Sequence, residues 1–376
     1  MINKHHGFKT VGLFIITLLS LLLGGCDSSV NSSITSESST TPSQGFAGLG
    51  ADAAGFAQVQ PNPTILYPDA LNQQPDYRIE WWYVTANLID ETGVPIGIQW
   101  TLFRHASSPT PQQEGWANQQ LWLGHIGVTT AQQHLSSDRY GRGGVGQAGV
   151  TMAPFKAWID HWSLSRVENE PEPPTSFNLI AQSDQFGYDL VLQKSGPAVL
   201  QGEQGFSVKS HQGQASYYMS LPFLDVSGSV WIDENTYKVE GQAWLDREWS
   251  SQPLSADQEG WDWFSLHLDN QDKLMLFRLR HQDSEDFFSG TYIHADGRTQ
   301  PLRSDQIVMQ PIHHHPIAHR RIPTSWQLIV DDLGIDLRAE ALNPNAWMST
   351  QIAYWEGPIQ FTGSHQGVGY LEMTGY

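Results

Sequence analysis

The sequence predicts an all-β protein made of two consecutive, related β-barrel domains packed together. Three observations carry this expectation. From about residue 77 onward, runs of β-branched and aromatic residues are bounded by turn residues at short intervals. No long stretch shows a helical period. A hairpin pattern near the start of the folded region returns in outline past residue 235.

The chain has 376 residues, enough for two domains of ordinary size. Asp and Glu number 39 against 20 Lys and Arg, a formal charge of −19. That balance argues against nucleic acid as a partner and against electrostatic docking on anionic lipid. There are 15 tryptophans and a single cysteine, Cys26.

The position of Cys26 explains it. Lys4 and Lys9 precede an almost wholly apolar run over residues 11–23, followed by Gly24, Gly25 and Cys26. A basic start, a short apolar core and small residues at its end describe a secretory signal peptide. The core is shorter than the about 20 residues of a membrane span. Leu23-Gly24-Gly25-Cys26 resembles a bacterial lipobox, in which the cysteine is lipidated and becomes the mature N-terminus. Residues 1–25 are therefore expected to be a lipoprotein signal peptide, with Cys26 the lipid attachment point. No second cysteine exists to pair with it. Asp27 resembles the signal that retains lipoproteins at the inner membrane, which implies a periplasm-facing protein held there. Residues 26–60 begin as a Ser/Thr tract with too little apolar surface to fold and read as a flexible tether.

The first domain is expected over residues 61–235. Tyr77–Leu88 reads as a strand, Ile89–Gly93 as a turn and Val94–Arg104 as the return strand. Leu121–Thr130 is a further strand; Thr130–Asp138 is the candidate short helix and Tyr140–Gly149 a glycine-rich loop. Short strands follow around Trp158–Arg166, Phe177–Ala181, Tyr188–Gln193 and Tyr217–Ser220. The second domain, residues 236–376, opens with Trp263–Leu268, an acidic turn and Lys273–Arg278. Both hairpins end in Leu-Phe-Arg, at 102–104 and 276–278, and Glu80-Trp81 and Glu248-Trp249 precede the two copies. His313-His314-His315 reads as a solvated loop between Pro311 and Pro316, not as a metal site.

The most informative stretch is Trp244-Leu245-Asp246-Arg247-Glu248-Trp249, three charges between tryptophans. Acids are almost never fully buried without a partner. Arg247 is the expected partner of Asp246 or Glu248, and the alternative is an acid held in an apolar pocket.

Glu80-Trp81-Trp82-Tyr83, the 244–250 stretch, Tyr354-Trp355-Glu356-Gly357 and Gly369–Tyr376 resemble motifs of the lipocalin-like AttH family, which includes the acyclic carotenoid 1,2-hydratases. The resemblance covers about residues 60–376. It implies two consecutive lipocalin-like barrels, and company with ABC transporters of the lipoprotein-export type. The main expectation is thus a periplasm-facing lipoprotein that binds a hydrophobic ligand, lipid or isoprenoid, beside an ABC transporter permease. The alternative is a hydratase-like enzyme that adds water to, or cyclises, an isoprenoid or polyene chain. Family hydratases are described as using an Asp–His pair; here Asp246 is followed by Arg247, and arginine cannot cycle a proton.

Hydrating an alkene needs a proton donor, a stabilised carbocation and water. Burial among apolar groups raises a carboxyl to the pKa that a donor needs, and indole and phenol faces stabilise a cation. Asp246 and Glu248 are the candidate acids, Glu248 the better one if Arg247 holds Asp246. Trp81, Tyr83, Trp249 and Trp261 are the candidate rings, and Arg247 and His125 complete the ligand-binding candidates. His125 also suits a satisfied barrel histidine. No cofactor is implied.

Overall fold

The computed structural model describes residues 53–170, 172–255 and 257–376. The signal peptide, Cys26 and most of the expected tether lie outside the described residues.

The described chain is β throughout, without an α-helix. The first sheet contains β1 (Ile79–Asp90), β2 (Pro95–Ala106), β3 (Gln120–Thr129), β4 (His134–Arg142) and β5 (Ala148–Met152). It continues with β6 (Phe155–Ile159), β7 (Trp162–Arg166), β8 (Ser176–Gln182), β9 (Phe186–Lys194), β10 (Val199–Leu200), β11 (Phe206–Val208), β12 (Ala215–Ile232) and β13 (Asn235–Ser250). The second sheet contains β14 (Gln258–Leu268), β15 (Lys273–His281), β16 (Phe287–Ile293), β17 (Thr299–Leu302) and β18 (Val308–Ile317). It ends with β19 (Arg320–Val330), β20 (Ile335–Ala341), β21 (Trp347–Met348), β22 (Tyr354–Gly363) and β23 (Gly367–Met373).

Strand order shows that the repeat is real. The first sheet runs β4-β3-β2-β1-β13-β12-β9-β8-β7-β6-β5, and the second runs β17-β16-β15-β14-β23-β22-β20-β19-β18. In each, a four-strand meander is joined through its first strand to the last strand of the same copy. The first sheet curls into a nearly closed barrel and the second forms a half-barrel.

This order moves the expected boundary. Strand β13 pairs with β1 and β12 and closes the first copy, so the sheets change over after Ser250 rather than at 235. The physical reason is register: once Ile79 faces Ser250, every residue of β1 through Asp90 has a partner in β13. The same register corrects the repeat. Glu80 lies opposite Trp249 and Trp81 opposite Glu248, so those two motifs are neighbours in one sheet, not copies of each other. The true equivalents are Glu80-Trp81 facing Arg104 and Phe103, and Asp262-Trp263 facing Arg278 and Phe277.

Two other expectations give way. Thr130–Asp138 is not helical: residues 130–133 turn the chain, and β4 then pairs with β3 from His134 on, taking in the first residues of the expected glycine-rich loop. The three histidines lie in β18, an edge strand, rather than in a loop. Its pairing with β19 slips between Pro311 and His313 and again between His313 and His314, and an edge with such irregularities tolerates proline.

Three apolar clusters form. One fills the first barrel around Trp82, Trp100 and Trp162, and a second fills the half-barrel around Phe264, Trp326 and Trp355. The third lies between the sheets and draws on both, with Tyr83, Tyr218 and Trp244 from one and Trp263, Phe277 and Tyr370 from the other. Gly97 marks how closely the sheets approach, since a Cβ there would run into the ring of Pro358.

Candidate functional site

The inter-sheet layer contains a cavity of about 90 Å³. Strand alternation decides what reaches it. On β13 it sends Asp246 and Glu248 toward the second sheet and turns Arg247 and Trp249 into the first barrel. The walls are Trp81, Tyr83, Phe103, Tyr218, Trp261, Trp263, Phe277 and Leu279, with Pro253 and Leu254 from the β13–β14 connection. Its charged groups are Asp246, Glu248, Glu372 and Lys209.

Asp246 is buried, and its carboxylate accepts bonds from Tyr218 Oη (2.7 Å), Ser220 Oγ (2.5 Å) and Trp244 Nε1 (2.6 Å). Trp263 Nε1 in turn donates to Tyr218 Oη at 3.2 Å. Burial pushes Asp246 up to about 7, against the pull of those three donors. Glu372 accepts from Trp261 Nε1 at 2.6 Å, and burial raises it as well to about 7. Behind the wall, Tyr83 donates to Glu356, a fully buried acid held well above its ordinary value first by burial and then by Glu372. His125 Nδ1 lies 3.0 Å from Tyr354 Oη with the two rings stacked, and burial lowers the imidazole to about 4.

Glu248 stands apart from the other acids. Lys209 Nζ sits 3.0 Å from its Oε1, and Ser216 donates to the same oxygen. The ammonium also lies over the rings of Phe277 and Tyr218, at 4.3 and 4.8 Å.

Arg247 does not hold Asp246 or Glu248, as the sequence suggested. It reaches across β1 to Glu80, which Arg104 also grips, and both guanidinium groups are fully buried. Arg247 further donates to Asn72 O at 2.8 Å and lies over Trp82 and Trp249, 4.0 and 4.9 Å from the ring centroids. Arg247 and Trp249 are therefore parts of the barrel interior, while Trp81, Tyr83 and Trp261 line the cavity. His125 is not a wall residue; it stands behind Tyr354. With Arg247 turned away, the reason for preferring Glu248 over Asp246 disappears.

Sequence reading missed Glu356, Glu372, Lys209 and Tyr218 as parts of the site. Two of them sit in noted motifs, Tyr354–Gly357 and Gly369–Tyr376, but only the pairing of Trp263 with Glu372 carries the second acid to the cavity.

A cavity between two related lipocalin-like sheets, apolar in its walls and carrying buried acids, defines the class of protein. The chain belongs to the AttH-like family, whose pattern it matches over residues 58–376. It is similar to the crystal structure of an AttH protein from Nitrosomonas europaea, with 31% identity and a TM-score of 0.75 over 85% of this chain and 100% of that one. It shares the fold of kievitone hydratase from Nectria haematococca, at 14% identity and a TM-score of 0.63 over 85% of this chain and 96% of that one. No curated protein matches it in sequence.

Proposed function

We propose that the protein binds the end of an apolar, unsaturated chain, an isoprenoid or polyene lipid, in the inter-sheet cavity and adds water across its terminal double bond. One observation carries this reading: Asp246 is buried and Glu372 partly buried at an apolar cavity, among the described residues no guanidinium or ammonium forms an ion pair with either, and desolvation raises both to about 7. A pure lipid carrier has no use for such groups, because each buried acid disfavours an alkyl chain and costs folding energy. At about 90 Å³ the cavity is smaller than the about 150 Å³ space that accepts benzene, so it takes the end of a ligand and not the whole.

The chemistry balances with water as the only co-reactant. Glu372, which has fewer donors than Asp246 and faces Glu356, gives its proton to the less substituted alkene carbon, and the π pair forms the new C–H bond. The tertiary cation faces Trp81, Trp261, Trp263 and Phe277, each such ring being worth roughly 0.5–2 kcal/mol. Asp246, oriented by its three donors, takes a proton from the water that attacks the cation, and once the alcohol leaves, Asp246 gives that proton to solvent and Glu372 takes one up, restoring both groups. The shared hydratase fold of the fungal relative agrees with this reading.

The same proposal includes the membrane. The basic, apolar and Gly-Gly-Cys pattern of residues 4–26 supports lipidation of Cys26, a periplasmic orientation and work beside an ABC transporter permease. Purified protein incubated with an acyclic isoprenoid in heavy-oxygen water should yield a labelled tertiary alcohol. Asp246→Asn and Glu372→Gln should each still bind the isoprenoid and lose turnover. Unchanged turnover in both variants would refute the reaction. Cys26→Ser should leave the membrane fraction, and wild-type fractionation would refute the anchor.

A further inference from the structure

We propose that the end of the first sheet carrying the β2–β3 and β4–β5 loops rests on a lipid bilayer of low surface charge. Trp116, in the single 3-10 turn Gly115–Ala117 of the β2–β3 loop, is 76% exposed, more than any other large apolar side chain among the described residues. Val145, in the β4–β5 loop, is also exposed. The two loops are tied together. Gly115 N donates to Gly144 O at 2.9 Å, and Arg142 Nη2 donates to Trp116 O at 2.9 Å. Gly144 has φ +79°, and a Cβ there would strike Asn118 and the backbone of Gly115, so glycine is what lets the loops close on each other. Two apolar tips are thus presented side by side on a braced edge.

Charge and chain path identify the occupant. Residues 107–119 contain one charged side chain, Glu114, and residues 143–147 contain none, in a chain of −19. Such a surface suits a zwitterionic bilayer, where tryptophan favours the headgroup level. The N-terminal chain enters the fold at this same end. Ser251 Oγ donates to Ala57 O at 2.5 Å, and Gly55 packs against Pro109 of the β2–β3 loop. Cys26 precedes Ala53 by only 27 positions in the chain (53 − 26). This part of the argument rests on the reading that Cys26 carries lipid. The cavity lies toward the same end, since Trp81, Phe103 and Glu248 are close to the ends of their strands that meet at Ile79, Ala106 and Ser250. An apolar ligand could then pass from bilayer to cavity without crossing the length of the protein.

Hydrogen exchange of the full chain on phosphatidylcholine vesicles, read beside the intact mass, tests this. Wild type should exchange severalfold more slowly over 107–118 and 143–147 than a Trp116→Ser, Val145→Ser double variant on the same vesicles. The turns at 91–94 and 233–234, at the opposite end, should exchange alike in both. The intact mass reports lipid on Cys26 separately. Loop protection with a bare Cys26 supports the docking surface and refutes only the anchor. Equal exchange of wild type and variant in these loops, lipidated or not, overturns the proposal. So does protection at the 91–94 end, or loop protection that grows with protein per vesicle, which assigns the patch to a second copy.

Discussion

Glu248 and Glu372 occupy the same place in the two copies of the repeat. Each sits on the last strand of its copy, opposite a tryptophan of the first strand, Trp81 in one case and Trp263 in the other. Both reach the inter-sheet cavity. Glu248 meets Lys209, whereas Glu372 meets the indole of Trp261 and keeps the company of Tyr83 and Glu356. Duplication thus places a carboxylate twice, and the neighbours set them apart: one is held in an ion pair, the other accepts from an indole and is raised by desolvation. A second pair repeats without dividing. Glu80 is gripped by Arg104 and Arg247, and Asp262 by Arg280 at 2.6 Å with Arg278 at 3.7 Å. Glu80 and Asp262 are fully buried with guanidinium groups facing them, whereas Glu372 is only partly buried and, among the described residues, forms no ion pair.

The largest expected effect comes from breaking the shared clamp. Arg247→Ala leaves Glu80 with only one of its two guanidinium partners in a fully buried site and should cost about 3–5 kcal/mol in denaturant unfolding. Arg278→Ala should cost less, because Arg280 holds Asp262 more closely and Arg278 is itself partly exposed. Equal losses would mean that the two clamps are not graded by burial.

Making the two glutamates alike is the next step down. Lys209→Met retains the apolar stem and removes the cation, so Glu248 becomes unpaired as Glu372 already is. The variant should lose about 1–3 kcal/mol in urea unfolding. Unchanged stability would show that the ammonium of Lys209 does not hold Glu248.

The pH dependence of stability sharpens the contrast further. Asp246 is raised from 3.8, and Glu372 from 4.5, to about 7. Between those limits the folded state binds more protons than the unfolded one, so these groups stabilise the fold at acid pH and the contribution is lost as pH rises toward 7. The Asp246→Asn, Glu372→Gln protein should show a flatter stability profile over that window, measured by urea unfolding. A profile as steep as wild type would mean that neither acid holds its proton in the fold.

The smallest effect is expected at β18. Replacing His313, His314 and His315 together by alanine should change stability by about 0.5 kcal/mol per site or less, since all three are at least partly exposed on an edge strand.

These comparisons show how much was legible beforehand. The β class, the hairpins and the repeat were readable because turn residues and strand-forming residues act locally. The Leu-Phe-Arg ends truly correspond, since Arg104 and Arg278 face Glu80 and Asp262 at equivalent positions. Asp246, Glu248, Trp81, Tyr83 and Trp261 were found as candidates because charge among indoles is conspicuous. Glu372 and Glu356 were not, because Tyr83 and Glu356 are 273 residues apart and nothing local announces that they meet.

The sequence by itself determined that the chain is β, that it is doubled, and that its acids cluster near aromatic residues. Each of these follows from short-range preference and composition. Only the tertiary structure decided that Arg247 belongs to Glu80, that β13 closes the first copy, and that Asp246 shares a cavity with Glu372. The reason is that residues 243–250 are buried on both faces. A strand covered on both sides has no polar side to orient it, so its sequence does not reveal which face meets the partner sheet. Register and sheet order, set by contacts across hundreds of residues, supply that choice.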